Sequence, residues 1–247
     1  MRGPVAIAGA ALLAGGLAGC ESSQTKSARL AREGAGAAKL TAVAAGPRNR
    51  EVRVARTKLL RGPDGTAAAV VELRNTGTRP QARVPVQISV RDGRGRPVYK
   101  NDLRGLQPAL QQLAYLGAGR RAYWVHNQVL AARPPRKLSV RVGRALGKAP
   151  AGRPPKVVVD RVRIDRDSTG RFVTGRVRNL SAIAQRDMPI YGVALREGRV
   201  VAAGRAIIDR VDPAPTPKRI TFRMFFVGDP RGARLVVQPV PTVLEGR

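Results

Sequence analysis

The chain has 247 residues, with 46 Lys and Arg against 16 Asp and Glu, and a formal net charge of +30. A single cysteine and a single histidine exclude a disulfide framework and a zinc site of His and Cys ligands. At 4% aromatic content the chain lacks the interleaved aromatic and basic faces of single-strand nucleic-acid binders, so no nucleic acid is expected as a partner.

The chain opens on Met1-Arg2-Gly3-Pro4 and continues through an uncharged apolar run, Val5 to Leu17. About 13 residues fall short of the roughly 20 that a helix needs to cross a bilayer. A positive start, a short apolar run and small residues before a cut mark a secretory signal over residues 1–19. Leu17-Ala18-Gly19-Cys20 resembles the lipobox of bacterial lipoproteins. The resemblance implies a diacylglyceryl group on the Cys20 sulfur and Cys20 as the mature N-terminus. Each buried acyl CH₂ contributes about 0.8 kcal/mol, so two or three chains hold a protein at a membrane where one does not. The expected location is the extracytoplasmic face of the cell membrane, with the membrane itself as first partner.

Residues 20–50 begin polar and turn rich in Ala and Gly, with no sustained amphipathic period, and read as a flexible tether. Residues 51–142 and 156–239 read as two β-rich blocks. Between them 143–155 reads as a Pro/Gly linker, and 240–247 as a tail.

The two blocks look like copies. Aligning Arg74-Asn75-Thr76-Gly77 with Arg178-Asn179-Leu180-Ser181 also sets Pro85 on Pro189 and Val86 on Ile190. Val90-Arg91-Asp92-Gly93 meets Leu195-Arg196-Glu197-Gly198 after one extra residue, which predicts a β-bulge near Gly192. The apolar period is two. Val84, Val86, Ile88 and Val90 alternate with polar neighbours, and Ala69, Val71 and Leu73 alternate with Val70, Glu72 and Arg74, as in half-buried strands. Turn residues recur at Asn75-Thr76-Gly77, Asp92-Gly93 and Asp167-Ser168-Thr169-Gly170. The pattern predicts an all-β protein of two tandem antiparallel immunoglobulin-like β-sandwiches. Pro85 and Pro189 predict edge strands or bulges. Ala109 to Leu116 and Val129 to Ala132 are candidate short helices.

Each block resembles the FxLYD domain, a small immunoglobulin-like module of bacterial envelope proteins. The carrying residues are Gly175-Arg176-Val177-Arg178-Asn179, Val193 to Gly198 and Thr221 to Phe226 in the second block. In the first they are Glu72 to Gly77, Val90 to Gly93 and Ala122 to Val125. The motif's Tyr is here Arg91 or Arg196, and its leading Phe is missing. The resemblance implies a binding or spacer module without catalytic residues.

The chemistry-bearing residues are few. His126 has no nucleophile motif to serve, and no Gly-x-Ser-x-Gly occurs, so His126 reads as a core or surface histidine and no catalytic residue is assigned. Asp160, Asp165 and Asp167 are separated by arginines, which favours salt-bridged turns over a calcium loop. Asn179-Leu180-Ser181 fits a glycosylation acceptor but reads as a turn. Of Tyr123 and Trp124, and of the Phe222, Phe225, Phe226 group, some members are expected in the core. The sharpest basic feature is Arg91, Arg94 and Arg96 on a glycine-rich hairpin tip, whose guanidinium forks match phosphate.

The expected function is that of a non-catalytic, lipid-anchored envelope protein acting as a binding or scaffolding module, with envelope proteins or anionic surface polymers as partners. The alternative is an electrostatic binder of anionic phospholipid or a phosphate-bearing wall polymer. No cofactor and no metal are expected. Only eight of the 46 cationic residues are lysine, so part of the arginine excess reflects GC-rich codon usage.

Overall fold

The computed structural model describes residues 42–62, 65–103, 105–131, 133–150, 152–168, 170–213 and 220–245. The expected signal over 1–19 and Cys20 lie outside them. The protein is all-β, its strands paired antiparallel. In chain order they are β1 (Val52–Arg61), β2 (Ala67–Asn75), β3 (Gln81–Arg91), β4 (Pro97–Lys100), β5 (Gln112–Leu116), β6 (Arg121–His126), β7 (Lys137–Val142), β8 (Val157–Asp167), β9 (Gly170–Asn179), β10 (Gln185–Arg196), β11 (Arg199–Val211), β12 (Ile220–Gly228) and β13 (Arg234–Pro239). No described helix is long and apolar enough to cross a membrane.

The alternating segments become strands because β-branched residues pack well on a pleated, half-buried surface. The expected helix at 109–116 is instead a 3₁₀ turn, Pro108–Leu110, followed by β5. Pro108 starts the turn, and β5 then pairs with the first half of β3, which ends any helical path. Val129 is buried beneath β2, where its N–H reaches Ala67 O at 3.3 Å, in irregular chain.

The halves repeat each other in pairing. Strands β1-β2-β6 form one sheet, and β8-β9-β12 pair in the same order. Strand β3 lies between β4 and β7, as β10 lies between β11 and β13. The turn asparagines match bond for bond. Asn75 donates Nδ2–H to Arg79 O and Leu116 O, and accepts from Gly77 N on Oδ1. Asn179 donates to Ile183 O and Val211 O, and accepts from Ser181 N. These bonds fit the turn reading of Asn179.

Three expectations need correction. Pro85 and Pro189 sit in central strands, not at edges or bulges. Each is placed where its neighbour strand runs out. Pro85 O accepts Gly143 N just past β7, and Pro189 O accepts Val240 N just past β13, so each missing N–H falls where the ladder ends, and the Gly143 carbonyl takes Asn49 Nδ2 instead. Gly192 is not bulged, since β10 pairs β13 without a break from Ile190 to Leu195. The slip is on the partner strand β11, at Val201, which Ala194 and Leu195 bypass by pairing Ala202 and Val200. Gly192 pairs Gly204, and a Cβ on Gly204 would lie 2.6 Å from the Phe226 ring and 2.3 Å from Phe225 O. The bare backbone there lets Met224 and Phe226 settle onto the sheet.

The third correction concerns burial. Strand β2 is buried on both faces, including Ala68, Val70 and Glu72, which alternation assigns to solvent. Ala69, Val71 and Leu73 pack inward with Trp124 of β6, opposite Val71 in register. The other face carries the second half of the chain: Arg56 Nη1 donates to Gly198 O at 3.1 Å, and Tyr123 N to Gln238 Oε1 at 3.2 Å. Strand β10 is likewise two-faced. Tyr191, Val193 and Leu195 join the core of the first half, while Met188 and Ile190 serve a second core with Val173, Phe222 and Met224. One apolar core therefore crosses from the first half into the second.

Candidate anion-binding cleft

The residues before β1 do not hang free. Val43 N donates to Gln111 Oε1 at 2.7 Å, Asn49 N to Val142 O at 3.0 Å, and Arg144 N to Pro47 O at 2.9 Å. Residues 43–50 are thus docked on the fold, inside the segment expected to be tether. The segment after β7 is bonded too, with Leu146 N on Arg83 O and Gly147 N on Ala82 O. The first segment runs past the end of β7 and the second along the start of β3, and a cleft of about 1710 Å³ lies against them.

Asn49 stitches one wall to the other. Its Nδ2–H reaches Gly143 O at 3.1 Å, while Oδ1 accepts Glu51 N and Val52 N and so starts β1. Gly143 makes the contact possible: a Cβ there would lie 1.8 Å from Ala45 O.

Six arginines line this cleft: Arg48, Arg50, Arg53, Arg79, Arg141 and Arg144. All six are exposed. The one carboxylate in the lining is Glu51, which is occupied by Gln81 Nε2 at 2.5 Å. Several arginines elsewhere meet carboxylates. Glu72 takes Arg121 at 2.9 Å and Arg56 at 3.6 Å, and Asp160, Asp165 and Asp167 pair with Arg178, Arg163 and Arg223 at 2.8–2.9 Å. None of the six cleft arginines forms an ion pair among the described residues. Guanidinium stays charged at any physiological pH and presents a planar fork suited to phosphate oxygens. Gathered charge of one sign along a groove focuses the field on a partner of opposite sign.

No protein family matches this chain, and no curated protein does. The site is therefore read from its geometry alone.

The hairpin-tip arginines lie apart from the cleft. Asp92, its side chain 7% exposed, organises that tip: Oδ1 accepts Arg94 N and Arg96 N at 2.9 Å, and Oδ2 accepts Arg96 Nε at 3.0 Å, with Arg133 Nε at 3.6 Å. Arg91 Nη1 donates to Gly95 O. Two of the three guanidiniums are thus engaged within the turn itself. His126 is wholly buried against Tyr99 and Trp124. Trp124 and Phe222 are core, while Tyr123, Phe225 and Phe226 are half-buried.

The cleft escaped the sequence reading because its arginines come from three separated segments. Arg48, Arg50 and Arg53 lie close in sequence but fall within and beside the presumed tether, away from Arg79, Arg141 and Arg144.

The Asp92 turn and the Asp229–Arg231 contact predict acid sensitivity. Burial pushes the Asp92 carboxyl up, but hydrogen bonds from Arg96 and Arg94 outweigh it and hold it below 3.8. Arg231 brings Asp229 down to about 2. A carboxyl depressed in the folded state stabilises the fold above its unfolded value, and that contribution fades as pH falls through the folded one. Melting temperature should therefore drop between about pH 4 and pH 2. A chain carrying Asp92→Asn and Asp229→Asn should melt lower at pH 7 and follow a flatter profile; equal slopes for both proteins would refute this.

Proposed function

We propose that this chain is a non-catalytic, lipid-anchored envelope protein whose cleft binds phosphodiester groups, those of anionic phospholipid or of a phosphate-bearing wall polymer. The reading rests on one observation: six exposed arginines gather along one groove, and none of them takes a carboxylate partner among the described residues. Position supports it. The chain enters the fold through a cleft wall, Pro47 to Val54. The 21 residues from Glu21 to Thr41 have a contour length of no more than about 75 Å. A lipid on Cys20 therefore keeps the groove near a surface rich in phosphate. The first half, read as an immunoglobulin-like module of the FxLYD kind, supplies the rigid walls.

Near an anionic surface each basic residue contributes about 1 kcal/mol, and each such loss is about fivefold in affinity. The protein purified in neutral detergent, titrated calorimetrically with soluble poly(glycerol phosphate), should bind at low salt. Binding should weaken steeply by 0.2 M salt, where the screening length is under about 10 Å. Neutral micelles doped with phosphatidylglycerol form the second arm and separate the two phosphate sources. The triple variant Arg48→Gln, Arg53→Gln, Arg144→Gln should lose roughly a hundredfold, against little loss for Arg94→Gln. Equal binding by the triple variant, or no binding at low salt in either arm, would remove the proposal.

A further inference from the structure

Arg205 is a buried cation without a counter-charge. It lies on β11, opposite Tyr191 of β10, on the face turned toward the first half, and is 4% exposed. Its hydrogen bonds are long and go to neutral groups: Nε to Asn127 Oδ1 and Nη1 to Gln107 Oε1, both at 3.4 Å. It forms no ion pair among the described residues; the nearby Asp102 is exposed and acts on Tyr99 rather than on Arg205. An isolated buried charge costs several kcal/mol unless a partner compensates it.

The groups around it add donors rather than acceptors. Burial and the Arg205 charge together push His126 down to about 3, so its ring is neutral. The Gln128 backbone N–H can only donate, and it points at His126 Nδ1 at 3.3 Å. The ring proton then sits on Nε2 and is donated to Tyr99 Oη at 2.7 Å. The Tyr99 hydroxyl hydrogen is left with no acceptor among the described residues. Tyr191 Oη and Trp124 Nε1 both donate to Ala109 O, each at 3.0 Å, and supply no acceptor either. Gln107 and Asn127 are half-buried and form the outer cover of this spot. A turn of either amide exchanges its oxygen for an N–H donor.

We propose that the junction between the two halves is a binding site for one small oxyanion, a carboxylate or inorganic phosphate, held by the Arg205 guanidinium, the Tyr99 hydroxyl and the turned amides of Gln107 and Asn127. A guanidinium fork takes two oxygens of such an anion at once. The site is separate from the arginine cleft and shares no residue with it.

The test is calorimetric titration of the purified full chain, in zwitterionic buffer and neutral detergent, with sodium acetate in one arm and sodium phosphate in the other. Saturable binding near one per chain is expected in at least one arm. Removing a single hydroxyl donor by Tyr99→Phe should weaken it roughly tenfold, and Arg205→Gln about a hundredfold. The triple cleft variant should keep it unchanged, so failure here is distinguishable from failure of the cleft reading. Should Arg205→Gln not fold, Tyr99→Phe and Gln107→Ala decide the matter by themselves. No saturable binding in either arm, or binding that Tyr99→Phe and Gln107→Ala leave intact, overturns the proposal.

Discussion

Gly143→Ala should release the segment 42–49 from the fold and weaken phosphate-polymer binding together with it. A Cβ at 143 would sit 1.8 Å from Ala45 O and 2.7 Å from its carbonyl carbon, both backbone atoms that cannot rotate away. The segment must therefore lift off, taking with it the Arg48–Gly143 bridge and the bonds of Asn49 N to Val142 O and Arg144 N to Pro47 O. Arg48 and Arg50 then leave the cleft, while β1 onward keeps its sheet. Amide exchange at 43–50 should become fast, and affinity for poly(glycerol phosphate) should fall at least tenfold, about 1.4 kcal/mol. Melting temperature should fall only modestly, since few apolar contacts beyond Ala45 are lost. Slow exchange at 43–50 in the variant would show that the docked segment is not what holds the cleft.

The second large effect belongs to the core. Trp124 is fully buried on the inner face of β6, opposite Val71, with its indole N–H on Ala109 O at 3.0 Å. Truncation of a buried Trp to Ala costs about 3–5 kcal/mol, a large share of the total stability of most domains. Because Tyr191, Val193 and Val227 belong to the same apolar cluster, the loss should not be confined to the first half. Denaturant unfolding followed by far-ultraviolet dichroism should show one transition in both wild type and Trp124→Ala, with the midpoint moved down in the variant. Two separated transitions, only one of them shifted, would mean that the halves unfold independently and that the shared core contributes little.

The sequence was most informative where an argument depends on neighbours along the chain. Period-two alternation and the spacing of turn residues identified strands in both halves. The Asn75 and Asn179 match, found as four-residue similarities, corresponds to the same set of side-chain bonds in space. Binding geometry was much less legible. Arg91, Arg94 and Arg96 stood out because they are adjacent, yet adjacency on a tight turn let Asp92 engage Arg96 and let the Gly95 carbonyl engage Arg91. The cleft arginines are spread from 48 to 144 and become neighbours only when β1 and β7 come side by side.

The sequence by itself determined the strand content and the repeat, because each is a local property of spacing. Tertiary structure decided which strand faces meet water. Val70 and Glu72 alternate as solvent residues should, but the second half of the chain covers them. It also decided which charges go without partners. Whether a guanidinium finds a carboxylate depends on groups tens of residues away, and no periodicity along the chain encodes that meeting.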